Sequence, residues 1–567
     1  MVTVTPMEFI LAIAQVNPHV GALQENMRMM LRHVQAAQAA GAALVVFPEL
    51  VLTGYPPEDL LHKPLFLQRL AEVEQQLRQA LTTIGIDVIY GTVRHGGEGL
   101  FNAGVFTWAG QEVGYAAKWR LPNYGVFDEQ RYFIPGERVQ IFPYRGVMLG
   151  ITICEDMWHT GDPLARLAAE GAGLIINLNA SPYHLLKQGE REEVIRQRIE
   201  EYGIPVVYVN QVGGQDELVF DGGSFVLQRD EHGAMQRLLR CRSFAEDLRL
   251  IRVGPRTEAP VWLQTVANAV DSAALTPDEE IYQALCLGLR DYVTKNGFSG
   301  VVLGLSGGID SALTAVICAD TLGAERVEAL MMPSRFTAPE SLEDAAAEAK
   351  ILGIRLSEVA IDGLFKQFRQ QLAPLWQSER KNSGGEDVTD ENIQPRIRAT
   401  LLMAVANKRH KLLITTGNKS EMSVGYATLY GDMAGGYSVL KDLLKGMVYR
   451  LAAARNRWAV QRGETPPIPE RVMTRAPTAE LRPNQKDSDS LPPYPVLDDI
   501  LERYVEQEQS LEEMVAAGID RQTAVQVIER VDRNEYKRRQ APPGVRISQR
   551  AFGKDRRYPL TNGFSAQ

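Results

Sequence analysis

Two sets of residues in this chain are of types that do chemistry. The first is one short run, Ser306-Gly307-Gly308-Ile309-Asp310-Ser311, straight after the apolar stretch "GVVLGL". A strand, a glycine turn and a helix in succession aim backbone N–H groups and the positive end of a helix dipole at one anion. Gly307 and Gly308 let the backbone approach closely, Ser306 and Ser311 add hydroxyl donors, and Asp310 can hold a magnesium ion. A lone Gly-Gly turn would be read as packing, but "SGGIDS" at a strand–helix junction points to a phosphate. The lysine of the usual ATP loop is missing. The second set is dispersed. Glu49 stands in "VVFPEL", Lys118 in "AAKWRLPNYGVFDEQRYF" and Cys154 in "GITICEDMW". A cysteine at a strand end is commonly a core residue. A purely structural strand rarely closes in Cys-Glu-Asp, as this one does through Glu155 and Asp156.

The elements that must hold these residues are legible as alternating patterns. Strand candidates are "FILAIAQV", "ALVVFPEL", "IDVIYGTV", "NAGVFTW", "VMLGITIC", "LIINLNA" and "PVVYVNQVG". Between the first two, "LQENMRMMLRHVQAAQAAGA" has helical spacing and ends at Gly41. Such alternation implies an α/β layer fold over residues 1–250. Residues 251–275 lack a strong period and read as a linker. A second domain, 276–567, opens at Thr276 as N-cap with Pro277 at the first helical position and acidic residues in the first turn. Two polar segments, 378–392 and 430–438, read as mobile loops or as a lid over a reactive intermediate.

Composition bounds the answer. The 567 residues are 45% apolar and 23% charged, and the net charge of -9 argues against general nucleic-acid binding. Four scattered cysteines, none in a CxxC pair, fit a reducing, cytoplasmic setting and disfavour a zinc site or a disulfide frame. "MVTVTPMEFILAIAQV" lacks a basic start and reads as a first strand rather than a signal peptide, and no apolar run reaches the roughly 20 residues of a membrane span.

The SGGxDS loop resembles that of the AMP-forming, pyrophosphatase-loop ATP enzymes, where it grips the β- and γ-phosphates that leave as diphosphate. Downstream, "ENIQPRIRATLLMAVAN", "LLITTGNKSEMSVGYATLYGD" and "LKDLLKGMVYRLA" resemble the NAD synthetases. That resemblance implies ATP contacts from Gly304, Leu305, Ser306, Gly307, Gly308, Ile309, Asp310, Ser311 and Thr416. Asn392, Glu421, Tyr426, Ala427, Thr428, Leu429 and Lys537 would contact deamido-NAD. Asp310 and Glu421 would hold Mg2+, and Lys441 would stabilise charge on the reacting phosphate.

In the first 250 residues, the order Glu49, Lys118, Cys154 and the run "LPNYGVFDEQRYF" resemble the nitrilase superfamily of amide hydrolases. The resemblance implies Cys154 as nucleophile, Glu49 as general base and Lys118 at the oxyanion, with Glu129 as a second acid positioning Lys118. By likeness to the glutamine-hydrolysing branch, Tyr124, Ser181 and Lys187 would hold glutamine. The family resemblance also allows arginine at the last of these positions, a cation that could likewise pair with the α-carboxylate.

Taken together, the chain resembles the glutamine-dependent NAD synthetase family. The implied fold is an αββα nitrilase-like sandwich followed by a doubly wound parallel α/β sheet. The implied activity is that of an ATP-dependent carbon–nitrogen ligase: ammonia freed from glutamine attacks an NAD-adenylate, giving NAD, AMP and diphosphate, the last step of NAD biosynthesis. A closed passage for ammonia and a homo-oligomer are further expectations. The alternative reading is another glutamine-dependent, AMP-forming amidotransferase.

Overall fold

The computed structural model describes residues 7–255, 261–266, 273–376 and 387–564. The chain divides into two compact units, residues 1–275 and 276–567.

The first unit carries β1 (Phe9–Gln15), β2 (Leu44–Val46), β3 (Asp87–His95), β4 (Leu100–Trp108), β5 (Gln111–Ala117), β6 (Ile141–Tyr144), β7 (Val147–Ile153), β8 (Leu174–Asn179), β9 (Val206–Asn210), β10 (Val212–Gln215), β11 (Leu218–Asp221), β12 (Phe225–Arg229), β13 (Met235–Arg240), β14 (Asp247–Gly254) and β15 (Trp262–Thr265). Its main helices are α1 (Leu23–Ala39), α2 (Pro64–Ile84), α3 (Leu164–Ala169) and α4 (Lys187–Tyr202). One sheet runs β15-β14-β1-β2-β3-β4-β5 and the other β13-β12-β9-β8-β7-β6, with β10–β11 a separate hairpin.

The two-residue alternation of each strand sets the layers. Leu11 and Ile13 of β1 meet Ile151, Ile176, Leu178, Val207 and Val209 in a core between the sheets. Ala12 and Ala14 turn the other way, onto Met30 and Val34 of α1 and Val73 and Leu77 of α2. On the far side, Ile175, Val206 and Tyr208 pack on Ile195 and Ile199 of α4. The result is helix, sheet, sheet, helix.

The stretch 251–275, read from sequence as a linker, is in part sheet. β14 runs to Gly254, and β15 pairs with it antiparallel. Val261 and Leu263 are buried in the inter-sheet core, which holds the strand there despite its weak periodicity. Residues 256–260 and 267–272 lie outside the described residues.

The second unit holds a parallel sheet of order β18-β17-β16-β19-β20, made of β16 (Val301–Gly304), β17 (Val327–Met331), β18 (Arg355–Glu358), β19 (Leu412–Thr415) and β20 (Tyr437–Ser438). Its principal helices are α5 (Pro277–Lys295), α6 (Ile309–Leu322), α7 (Pro339–Leu352), α8 (Asp362–Leu372), α9 (Val388–Arg409), α10 (Lys419–Val424) and α11 (Lys445–Gln461). Thr276 and Glu279 cap α5 reciprocally. The chain winds from β16 to one edge, then returns to β19 beside β16. Strand order therefore reverses between β16 and β19, and such a switch opens a crevice at the strand carboxyl ends.

The 430–438 segment is not a mobile loop. Gly435 and Gly436 pass so close to β19 that a Cβ on either would lie within 2.5 Å of Thr415 or Leu412 side chains, and the segment ends as β20. Residues 378–386 of the other polar segment lie outside the described residues, while Asp387 caps α9 by accepting from the Thr389 N–H. Among the described residues, no helix is long and apolar enough to cross a membrane.

Candidate active sites

In the first unit, Glu49 follows β2 where the backbone crosses directly over β3. Gly91 makes room, since a Cβ there would stand 2.2 Å from the Leu50 nitrogen. Lys118 follows β5 and Cys154 follows β7, so three strand ends deliver the three side chains. Lys118 Nζ donates to Glu49 Oε1 at 2.7 Å and to Glu129 Oε1 at 2.8 Å. Glu49 also accepts from Asn102 Nδ2 (2.6 Å) and the Ala180 N–H (2.9 Å), and Glu129 accepts from the Tyr55 hydroxyl (2.9 Å). Glu49 and Lys118 are each 1% exposed.

Burial disfavours the Lys118 cation, but Glu129 and Glu49 outweigh it and hold its pKa well above normal. Glu129 is pushed up to about 7 by burial, against the pull of Lys118. Burial first, then the Glu49 charge, raises the Cys154 thiol well above its usual pKa, with Lys118 opposing. The resting thiol is therefore protonated and needs a base to become a nucleophile. Cys154 has φ 43°, the left-handed region, which costs a non-glycine residue of order 1 kcal/mol or more and turns the side chain off the end of its strand.

Asp156 holds this turn. Its Oδ1 accepts from the N–H groups of Trp119 (2.9 Å) and Arg120 (2.8 Å), and its Oδ2 accepts from that of Ile153 (2.9 Å). One carboxylate thus ties the segment of Lys118 to the turn of Cys154. Tyr124 donates to both oxygens of Glu155 at 3.0 Å. Lys187, the first residue of α4, pairs with Glu190 (3.0 Å) and sits 3.9 Å above the Trp158 ring. Its pKa is lowered by burial, with Glu190 opposing. Ser181 accepts at Oγ from Arg191 Nε (3.0 Å), and Arg191 is itself buried against Asp221 at 2.8 Å.

In the second unit a cavity of about 320 Å³ opens at the switch point. The whole stretch Gly304 to Ser311 lines it, together with Thr416, Glu421, Tyr426 and Ala427. Gly307 has φ 78°, and a Cβ there would stand 2.2 Å from the Ser341 carbonyl oxygen, so only glycine fits this turn. Ser306 and Ser311 bond to each other at Oγ (3.0 Å), and the Gly308 N–H reaches Ser306 Oγ at 3.3 Å.

Lys445, the first residue of α11, bridges Asp310 Oδ2 (2.5 Å) and Glu421 Oε1 (2.9 Å). Burial lowers its pKa, but the two carboxylates outweigh that and hold it above normal. Burial pushes Glu421 up to about 7, against Lys445. Asn418, the N-cap of α10, donates to Asp310 Oδ1 at 2.9 Å, and Tyr494 donates to Glu421 at 3.3 Å. Two carboxylates beside a phosphate loop fit a hard divalent ion, which takes one or two carboxylates and completes its shell from phosphate oxygens and water. Among the described residues, no group of three or more His, Cys, Asp or Glu side chains is placed to hold a metal without such help.

The other expected residues gather at the turn after α10. Asn392 accepts from the Thr428 hydroxyl at 2.8 Å, Leu429 accepts from Arg396 at 3.1 Å, and Lys537 donates to the carbonyls of Gly425 (2.8 Å) and Ala427 (2.9 Å). Lys441 is not among the residues lining the cavity. The lysine lining the cavity is Lys445, while the stem of Lys441 packs beside Gly544. The two lysines of "LKDLLKG" are four residues apart, and only the second begins a helix at the cavity.

The carbon-nitrogen hydrolase family model matches residues 10–260 and the NAD synthase model residues 281–541. A glutamine-dependent NAD(+) synthetase of Acinetobacter baylyi is 44% identical over 559 residues, 98% of this chain and 99% of that protein. Its counterpart in Thermotoga maritima is 43% identical over 575 residues, 97% and 98% of the two chains. The solved glutamine-dependent NAD+ synthetase of Acinetobacter baumannii, in complex with ADP, matches with a TM-score of 0.76 at 41% identity, covering 99% of this chain and all of that one. This chain belongs to the glutamine-dependent NAD(+) synthetase family.

Within that family frame, several groups at the two sites escaped the reading of the sequence. Tyr55, Asn102 and Arg191 support the first site, and Asn418, Lys445, Asp487 and Tyr494 the second. Asp156 had a signal, the acidic pair after Cys154. Asn102 in β4 and Tyr55 beyond β2 had none, because nothing local marks a residue that will face a carboxylate 53 or 74 positions away.

Proposed function

We propose that this protein makes NAD from deamido-NAD, ATP and L-glutamine, releasing AMP, diphosphate and L-glutamate. The observation that carries the reading is the repeated constellation of a buried lysine between two carboxylates, once beside a strained cysteine and once beside a phosphate loop.

In the first unit Glu49 takes the Cys154 proton, and the sulfur attacks the glutamine amide carbon. Lys118 donates to the oxyanion of the tetrahedral intermediate, as an ammonium held in place before reaction begins. The C–N bond breaks, the proton passes from Glu49 to the leaving ammonia, and water then cleaves the thioester to glutamate. Tyr124, Ser181 and Lys187 hold the amino-acid end of glutamine. In the second unit a carboxylate oxygen of deamido-NAD attacks the α-phosphorus of ATP, and the SGGIDS loop holds the departing diphosphate. Ammonia then displaces AMP from the acyl adenylate. Asp310 and Glu421 would hold Mg2+, which supplies neutralising charge when bound. Asn392, Tyr426 to Leu429 and Lys537 form the deamido-NAD subsite, and Lys445 takes the phosphate role that the sequence reading gave to Lys441. The protein acts in the cytoplasm, where its four free thiols are suited to a reducing setting, and as a homo-oligomer.

The test is a two-source assay with the whole chain. Wild type should form NAD, with AMP and diphosphate, from either glutamine or an ammonium salt. Cys154→Ala should lose the glutamine reaction and keep the ammonium one. No NAD from either source with wild type refutes the reading, and a Cys154→Ala chain that still uses glutamine refutes the role of the thiol.

A further inference from the structure

The last described residues lie beyond the stretch matched by the NAD synthase model, which ends at 541. They are nonetheless built into the second unit. The Ser438 N–H donates to the Pro543 carbonyl at 2.8 Å, and Gly544 pairs parallel with Ser438, so the tail adds to the open edge of β20. A Cβ on Gly544 would stand 2.1 Å from the Ser438 carbonyl oxygen, so this approach requires glycine. Val545 and Ile547 are buried.

Past this edge the tail reaches a buried charge cluster. Asp442 Oδ2 accepts from the N–H groups of Ile547 (2.8 Å) and Ser548 (2.7 Å). The Ser548 hydroxyl lies 2.9 Å from Asp442 Oδ1 and 2.9 Å from Lys419 Nζ. Lys419 is fully buried and bridges Asp442 (2.8 Å) and Glu506 (2.6 Å). Burial raises the Asp442 pKa, but Lys419 and the tail donors outweigh it and hold the carboxyl below its usual range. Both members of this pair sit next to the reacting groups. Lys419 opens the helix of Glu421, and Asp442 lies three residues before Lys445. The Lys419 N–H donates to the Leu443 carbonyl (2.8 Å), and the Lys445 N–H to Ser420 Oγ (2.9 Å), so the two segments are stitched together.

We propose that Ser548 is a positioning residue of the AMP-forming site: through Asp442 and Lys419, the tail fixes the spacing of Glu421 and Lys445 beside the phosphate loop. A buried charge pair behind a cavity can settle in more than one arrangement when no further donors fix it. The tail hydroxyl and two N–H groups select one by saturating the carboxylate that anchors the buried lysine. A misplacement on the order of 1 Å far from the chemistry can cost up to about a hundredfold in rate. This inference rests on the synthetase reading above.

The experiment uses the full chain with ammonium as nitrogen source, and follows NAD and diphosphate. Ser548→Ala should lower kcat about tenfold with the KM for ATP changed less than about twofold, because the substrate still binds but the charges meet it wrongly. Ser548→Thr, which keeps the hydroxyl and the N–H, should restore kcat. A wholly structural role would lower the melting temperature and leave kcat per folded molecule unchanged, and that result overturns the proposal. So does an Ala variant with wild-type kcat, or a Thr variant no better than Ala while folded. If wild type itself makes no NAD from ammonium, the synthetase reading fails first, and the two failures are told apart.

Discussion

The two units place a buried lysine between two carboxylates by unrelated folds, and they set it to different tasks. In the first, Lys118, Glu49 and Glu129 have side chains no more than 5% exposed, and the lysine already meets both acids. Asn102 and the Ala180 N–H occupy the two oxygens of Glu49, and Tyr55 joins Lys118 at Glu129 Oε1, while the buried Glu129 Oε2 has no hydrogen-bond partner among the described residues. In the second, Asp310 and Glu421 have side chains 18% exposed and face a cavity of about 320 Å³. The first arrangement is enclosed before substrate arrives, which suits proton transfer and oxyanion stabilisation at one thiol. The second is a charge reserve whose partners change when an anionic nucleotide enters. The same three charges thus serve preorganised chemistry when sealed and ligand-dependent chemistry when open.

The sharpest division between the regions comes from removing one reacting group in each. Asp310→Ala should abolish NAD formation from both glutamine and ammonium, whereas Cys154→Ala abolishes only the former. Retained diphosphate release by Asp310→Ala in the presence of deamido-NAD would break the assignment of the second site.

Removing the lysines tests sealed against open directly. Lys118→Met leaves two buried acids without their cation, and breaking such an arrangement costs about 3–5 kcal/mol. Lys445→Met leaves two acids that water reaches, and should cost about 1–2 kcal/mol. Calorimetry of the whole chain reads both. Equal losses would mean that the two sites do not differ in the way their exposure indicates.

The pH dependence should differ as well. Burial raises Asp156 to about 6, against its three backbone donors, and Glu129 to about 7. Both folded values stand above those of free carboxyls, so ionising either group opposes folding. The stability each contributes is present at low pH, below about 4, and is lost as pH rises through 6 and 7. Glutamine hydrolysis needs both ionised, so its logarithm should fall with slope one below about pH 7 and slope two below about 6. Asp156→Asn should keep slope one throughout, apart from its lower overall rate. A persisting second slope would remove Asp156 from the acid limb.

What the sequence disclosed divides along the same line. The phosphate loop was legible because strand, glycines and helix are contiguous, and Cys154, Glu49 and Lys118 because each sits in a distinctive run. The parallel sheet of the second unit came from the family resemblance, with "GVVLGL" the strand read there from its own residues. The supporting shell was not legible. Asn102 and Tyr55 reach Glu49 and Glu129 only through sheet packing. Lys441 was named by resemblance alone, and nothing in the sequence marks that α11 begins at Lys445, which lines the cavity. β15 was hidden because its burial comes from the sheet it joins rather than from its own alternation.

The smallest effect is the most discriminating, because it compares like with like. Each site has one tyrosine on its second acid: Tyr55 on Glu129 at 2.9 Å, and Tyr494 on Glu421 at 3.3 Å with a better bond to Asp487 at 2.8 Å. Tyr55 is buried, so Tyr55→Phe removes a hydrogen bond that water does not replace, worth about 1 kcal/mol or somewhat more at a charged acceptor. Glutamine hydrolysis should fall about five- to tenfold, with the acid-side fall that sets in below about pH 7 moving to higher pH as Glu129 loses a donor to its ionised form. At Tyr494→Phe the Glu421 bond lost is long and the acid faces the cavity, so ammonium-dependent synthesis should change by less than about twofold. Initial rates of the two half-reactions across pH 6 to 8 decide the matter. If Tyr494→Phe proves the more damaging of the two, the second site is as fixed as the first, and its charges do not wait for the nucleotide.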